Sequence, residues 1–200
     1  MNKIRPELKL ISEWIKPGSR VLDLACGDGS LLKYLHDNKQ VSGYGIEIDP
    51  DHIASCIAKG INVIQTNLDR GLADFDADSF DYIIMTQSLQ AMHYPLKLIQ
   101  EMLRVGQEGI ISFPNFGHWR SRFSFMLKGR MPVTRSLPYD WYDTPNIHLC
   151  SLKDFAVLCQ KQNIRILQRS AANVKYQTKL TTRLFPNLLS EIAIYRFKYN

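Results

Sequence analysis

Two glycines and several acids stand at spacings that suit a charged small-molecule ligand. In "VLDLACGDGSLL", residues 21–32, Asp23, Ala25, Gly27 and Gly29 follow a run of apolar residues. Without a Cβ, Gly27 and Gly29 let the backbone pass close to a ligand. A dinucleotide fingerprint needs a third glycine three residues after Gly29, and that position is Leu32. A P-loop needs Gly-Lys-Ser/Thr, which is absent. Asp23 and Asp28 flank the turn, and carboxylates repel pyrophosphate. The pattern points instead to a ligand with a cationic part.

S-adenosylmethionine answers that description, because it carries a sulfonium, an ammonium and a ribose but no phosphate. Asp23 is placed to reach the ammonium, directly or through water. Glu47, 24 residues later and followed by Ile48, stands at the end of "GYGIE". An acid at that point accepts ribose hydroxyls, by the logic that places one there in dinucleotide folds. Asn67 and Leu68, after the next apolar run, would flank the adenine with an amide and an apolar edge. Gln87, at the end of "FDYIIMTQ", completes the expected contacts.

Residues for proton transfer are fewer. His118 and His148 are the only imidazoles in the segment 114–150, and Tyr139 and Tyr142 its only phenols. His118, His148 and Tyr142 are the candidates for catalysis, because methyl transfer to oxygen or nitrogen often needs a base. His148 lies between Ile147 and Leu149, which suits a hydrogen-bonded structural residue better than a base. His93 sits in "LQAMHYP", which contains no Asn-Pro-Pro-Tyr sequence and so argues against methylation of an adenine or glutamine amino group. His36 and His52 fall on expected helices and should lie at the surface.

The elements that must position these residues alternate. Leu8, Ile11 and Ile15 share one side of a first helix, with Trp14 nearby. Strands are expected at 20–25, 41–49, 61–67, 79–87 and 107–114. Helices are expected through Leu31, Leu32 and Leu35, at 49–60 with Asp49 as cap and Gly60 as stop, and at 95–105 with Pro95 in the first turn. This alternation predicts an α/β fold with a doubly wound, mostly parallel sheet. After Pro114 the pattern lapses for about 35 residues, then resumes as a helix opened by Ser151. The tail "EIAIYRFKY" alternates like an antiparallel edge strand. One domain over 1–200 is expected, with an aromatic and basic insertion at 114–150.

Composition narrows the function classes. The chain has 200 residues, 45% hydrophobic and 22% charged, which suits a full globular core. No apolar run reaches the roughly 18 residues of a membrane span, and "MNKIRPELKL" holds no signal-type apolar segment, so a cytoplasmic location is expected. Four cysteines without CxxC or metal-ligand spacing read as reduced structural thiols, and no metal is expected. Charge is uneven: residues 1–108 carry 15 acids and 11 bases, whereas 109–200 carry 4 acids and 14 bases. No Asp or Glu occurs between Gly109 and Tyr139. With no nucleic-acid-binding module in the sequence, the basic half is expected to meet an acidic partner or an anionic substrate.

"VLDLACGDGSLL", "GYGIEID" and "FDYIIMTQSLQ" resemble the class I S-adenosylmethionine-dependent methyltransferases. "PNFGHW" and "LPYDWYDTPNIHLCS" narrow the resemblance to the methionine biosynthesis protein MetW family. The resemblance implies a seven-stranded, Rossmann-like sheet with a hairpin-like C-terminal edge. It also implies a role in methionine biosynthesis beside homoserine O-acyltransferase. Where Asn67 stands, methyltransferases commonly carry an acid. Two functions stay open: activation of that partner, or methyl transfer to a small anionic metabolite, with RNA a weaker third.

Overall fold

The computed structural model describes residues 6–172 and 184–200. In chain order its elements are α1 (Pro6–Glu13), β1 (Arg20–Leu24), α2 (Ser30–Lys39), β2 (Ser42–Glu47), α3 (Pro50–Ala58), β3 (Val63–Gln65) and β4 (Phe80–Thr86). They continue with α4 (Pro95–Val105), β5 (Gly106–Pro114), α5 (Trp119–Lys128), α6 (Leu152–Lys161), β6 (Ile164–Ala172) and β7 (Ile192–Tyr199). The sheet has seven strands in the order β3-β2-β1-β4-β5-β7-β6. β1 pairs in parallel with β2 and with β4, and β2 with β3, whereas β6 and β7 are antiparallel.

This is the α/β, mostly parallel, class I methyltransferase-like sheet that the sequence leads one to expect. The antiparallel pair closes one edge; β6 takes the outermost place and the tail strand β7 lies one position inside it. The sequence pattern does not announce the short helix at Pro186–Leu189, nor two longer elements. α5 lies in the stretch expected to be irregular, and β6 has no counterpart in the periodicity.

The residues group into two compact units, one running to Thr86 and including His93–Ile111, the other comprising Gln87–Met92 and Ser112–Asn200. In the first, the central strands β1 and β4 are buried on both faces, and Val21, Leu22, Leu24, Ile46, Ile83 and Ile84 are closed to water, whereas edge strand β3 leaves Ile64 exposed. α4 turns Leu98, Ile99, Met102, Leu103 and Val105 inward. Its Arg104 donates to the carbonyls of Leu72 (2.8 Å) and Phe75 (2.9 Å), fastening the acidic loop before β4. α3 is capped by the Asp49 carboxylate, which accepts from Asp51 N and His52 N.

In the second unit the core is aromatic. Phe113, Phe155, Tyr195 and Phe197 pack with ring centroids 4.7–6.0 Å apart. Tyr195 donates its hydroxyl to Leu152 O at 3.0 Å, and burial pushes its phenol up to about 12. α6 opens on a reciprocal box in which the Ser151 hydroxyl accepts from Asp154 N and Asp154 accepts from Ser151 N. Among the described residues, no helix is long and apolar enough to cross a membrane.

Candidate ligand site at the glycine turn

β1 delivers a buried acid and then curls. Asp23, on the strand, is 1% exposed. Just beyond it Ala25, Gly27 and Gly29 have φ of 53°, 56° and 71°. Three left-handed residues in five make a tight turn, and the Gly27 amide within it faces negative charge. That charge is the protein's own. Glu47, at the end of β2, is 7% exposed; its Oε2 accepts from Gly27 N at 2.8 Å. Its Oε1 accepts from Ile48 N at 2.8 Å and from Asp49 N at 3.1 Å. The Gly27 amide of the turn is thus already engaged by an acid of the chain itself.

The two glycines do different work. A Cβ on Gly29 would lie 2.9 Å from Cys56 Sγ, whereas one on Gly27 would meet nothing within 4 Å. Gly29 therefore seats the turn on α3, and Gly27 leaves open space on the outer side. Beneath the turn, Cys26 Sγ and Cys56 Sγ are 3.8 Å apart, and Cys56 donates to Gly27 O at 3.2 Å. Burial pushes both thiols up, which keeps them protonated and suits structural roles.

Asp28 plays a different part from the one its spacing suggests. Lys59 donates to its carboxylate, and so does the Ser30 hydroxyl, at 2.7 Å. Partial burial would raise this carboxyl, but those bonds outweigh it and hold it down to about 2. Its charge is thus answered by Lys59, leaving Asp23 and Glu47 as the acids a cationic ligand would meet.

After β3, Asn67 is exposed and its side-chain oxygen accepts from Asp69 N at 2.9 Å, capping a short 3-10 turn in which Leu68 is buried. The next residue makes a contact that the sequence does not announce. The Asp69 carboxylate takes His93 N at 2.9 Å and His93 Nδ1 at 2.7 Å, joining the loops after β3 and β4. Gln87 falls in the second unit and, like Ala25, is held in the left-handed region with φ of 59°. Asp23, Ala25, Gly27, Gly29, Glu47, Ile48, Asn67 and Leu68 all belong to the first unit.

The imidazole and phenol candidates belong to the second unit. His118 is buried and caps α5, its Nδ1 accepting from Arg120 N at 3.4 Å; burial holds its pKa below the usual histidine value. His148 and Tyr142 are exposed. "PNFGHW" is a joint: Asn115 donates to Asn187 O (3.0 Å) and Ser190 O (2.7 Å) and accepts from Gly117 N (2.9 Å). Gln90 holds the far end of the insertion, with its carbonyl accepting from Ile147 N and His148 N, both at 2.9 Å. Its side chain donates to Pro114 O at 3.1 Å and to Cys150 Sγ at 3.2 Å.

Known proteins agree with this architecture. Residues 5–197 match the family model described as methionine biosynthesis protein MetW. A bifunctional methionine biosynthesis protein MetXA/MetW of Rhodopirellula baltica is 34% identical over 196 residues, a match that takes in 94% of this chain and 32% of that one. The chain thus spans about a third of that relative. Among solved structures, a SAM-dependent methyltransferase from Archaeoglobus fulgidus superposes with a TM-score of 0.70 at 14% identity, over 97% of this chain and 92% of the other. The [4+2]-cyclase SpnF superposes with 0.67 at 15% identity, over 96% and 80%. Such identities establish the fold alone, and the pair shows that it hosts more than one chemistry. The family match, nearly end to end, is what assigns the chain: it belongs to the methionine biosynthesis protein MetW family.

Proposed function

We propose that this chain binds S-adenosylmethionine at the glycine turn and acts with homoserine O-acyltransferase, activating it, in methionine biosynthesis. The observation that carries the partnership is the Rhodopirellula baltica relative, whose name joins MetXA and MetW in one chain of which this sequence accounts for 32%. Two proteins joined in one polypeptide stay at high mutual concentration, an arrangement that favours partners in a shared task.

The ligand reading rests on the acids and the open face of the turn. Asp23 is the group for the methionine ammonium and Glu47 the group for the ribose. A carboxylate offers about four acceptor positions. Three at Glu47 are already taken by Gly27, Ile48 and Asp49. Accepting both ribose hydroxyls therefore requires one of these three amides to yield. Calorimetric titration with S-adenosylmethionine and S-adenosylhomocysteine tests the site. Glu47→Ala and Glu47→Gln should each weaken binding at least tenfold, and unchanged affinity in variants that melt normally would remove the assignment. Measuring the acyltransferase rate with and without the chain tests the partnership. A rate that the chain leaves unaltered, with ligand present or absent, sinks activation.

A second reading, methyl transfer to a small anionic metabolite, draws support from the Asp69–His93 pair. A carboxylate on Nδ1 fixes an imidazole in the way general bases are fixed. It predicts that S-adenosylhomocysteine accumulates when the chain, its ligand and an acceptor are mixed, and that His93→Gln slows the release without weakening binding.

A further inference from the structure

We infer that α5 and the loop 137–149 form the docking face for the acyltransferase, and that they receive an apolar patch rimmed by acidic side chains. The inference rests on the partnership proposed above. α5 is a helix turned inside out: Ser121 is its buried residue, while Phe123, Met126 and Leu127 lie exposed, Met126 at 70%. In the loop, Trp141 and Tyr142 are 74% and 72% exposed and pack edge to face, ring centroids 5.8 Å apart. Monomeric surfaces seldom gather so many large apolar side chains. Trp, Tyr, Phe, Met and Arg are the types enriched where proteins meet.

The display is pre-shaped. Thr144 N donates to Asp140 O at 3.1 Å, and Thr134 N to Leu137 O at 2.8 Å. Phe116 N donates to Cys150 O at 3.1 Å, so the entry to α5 and the exit of the loop share one anchor. Holding aromatic side chains on an ordered backbone lowers the entropy lost on association.

Charge selects the occupant. Arg120, Arg122, Lys128, Arg130 and Arg135 accompany these aromatics, with no Asp or Glu from Gly109 to Tyr139. Residues 173–183 of this chain carry Lys175, Lys179 and Arg183 and no acid, which makes them a poor cover for a basic face. The same face of a second copy would oppose like charges. An anionic lipid surface carries one sign of charge throughout and would set it against the exposed Asp140 and Asp143, whereas a folded protein can place its acids opposite the arginines and meet Trp141 and Tyr142 with apolar groups. A folded protein surface with acids around an apolar centre meets all of these terms.

The test is a binding titration of the full chain against the acyltransferase. Wild type is compared with Trp141→Ala/Tyr142→Ala, with Phe123→Ala/Met126→Ala, and with Ile57→Ala, an exposed residue of α3, as control. The inference expects each double variant to bind at least tenfold more weakly, with a normal melting temperature, and the control to match wild type. Wild-type binding that both double variants retain within twofold overturns the docking face and leaves the partnership standing. No binding by wild type, with or without S-adenosylmethionine, overturns the partnership and the docking face together. The docking face is also overturned if the double variants keep acyltransferase binding but lose self-association in sedimentation, or lose binding to phosphatidylglycerol vesicles.

Discussion

At the scale of single residues, the glycine turn separates what the fold needs from what a ligand needs. Gly29 combines φ of 71° with a neighbouring sulfur 2.9 Å from where a Cβ would sit. Gly29→Ala should therefore lose about 2–3 kcal/mol of stability, from backbone strain plus overpacking. Gly27→Ala meets open space, so its loss should stay near 1 kcal/mol while ligand affinity falls more steeply. Urea denaturation with and without S-adenosylmethionine reads both quantities; equal stability losses would erase the distinction. His118 offers a pH test. Burial holds its folded pKa below the unfolded value near 6.5. The unfolded chain then takes up the proton first, so the contribution is complete above pH 6.5 and is lost as pH falls below it. His118→Asn, which keeps a capping side chain, should flatten the decline in stability between pH 6.5 and 5.

Elements come next, and the joint after β5 is the one most exposed to change. A Cβ on Gly117 would stand 2.8 Å from Ser151 Cβ, 2.9 Å from Asn187 Oδ1 and 3.0 Å from Asn115 Oδ1. Gly117→Ala should cost about 1–3 kcal/mol. It should also loosen the start of α5, detectable as faster amide exchange at Phe116 and Arg122. Protection equal to wild type at both amides would show that the joint absorbs the methyl group. The joint was visible in sequence only as a resemblance, since its bonds run from Asn115 to Asn187 and Ser190, more than seventy residues away. α4 and β5 could be read directly because their burial follows period and run length. α5 could not, because periodicity reports a buried face and this helix buries Ser121 alone. β6 failed for another reason: a register shift between Ile166 and Gln168 breaks the alternation that marks a strand. The same limits governed the site. Gly27, Gly29 and Glu47 stood out by type and spacing, whereas Asp69 drew no notice because its partner, His93, lies 24 residues on.

For the molecule as a whole, charge separates the two tasks proposed for it. Residues 109–200 carry 14 bases against 4 acids, while residues 1–108, which hold the glycine turn and Glu47, carry 11 bases against 15 acids. A basic surface draws an acidic partner over a distance set by the salt concentration, roughly 10 Å at 0.1 M and 3 Å at 1 M. The acids proposed to hold the ligand, Asp23 and Glu47, are buried, and salt screens such groups little. The two events should therefore part company under salt. Between 50 and 500 mM NaCl, the association rate with the acyltransferase should fall about tenfold or more, with dissociation changing less. Affinity for S-adenosylmethionine should hold within about twofold over the same range. Stopped-flow association and calorimetry, run on the same preparation, supply the comparison. An association rate indifferent to salt would mean that the basic half serves something other than partner capture. A ligand affinity that collapses with salt would mean that the cofactor is held by surface charge rather than by the buried acids.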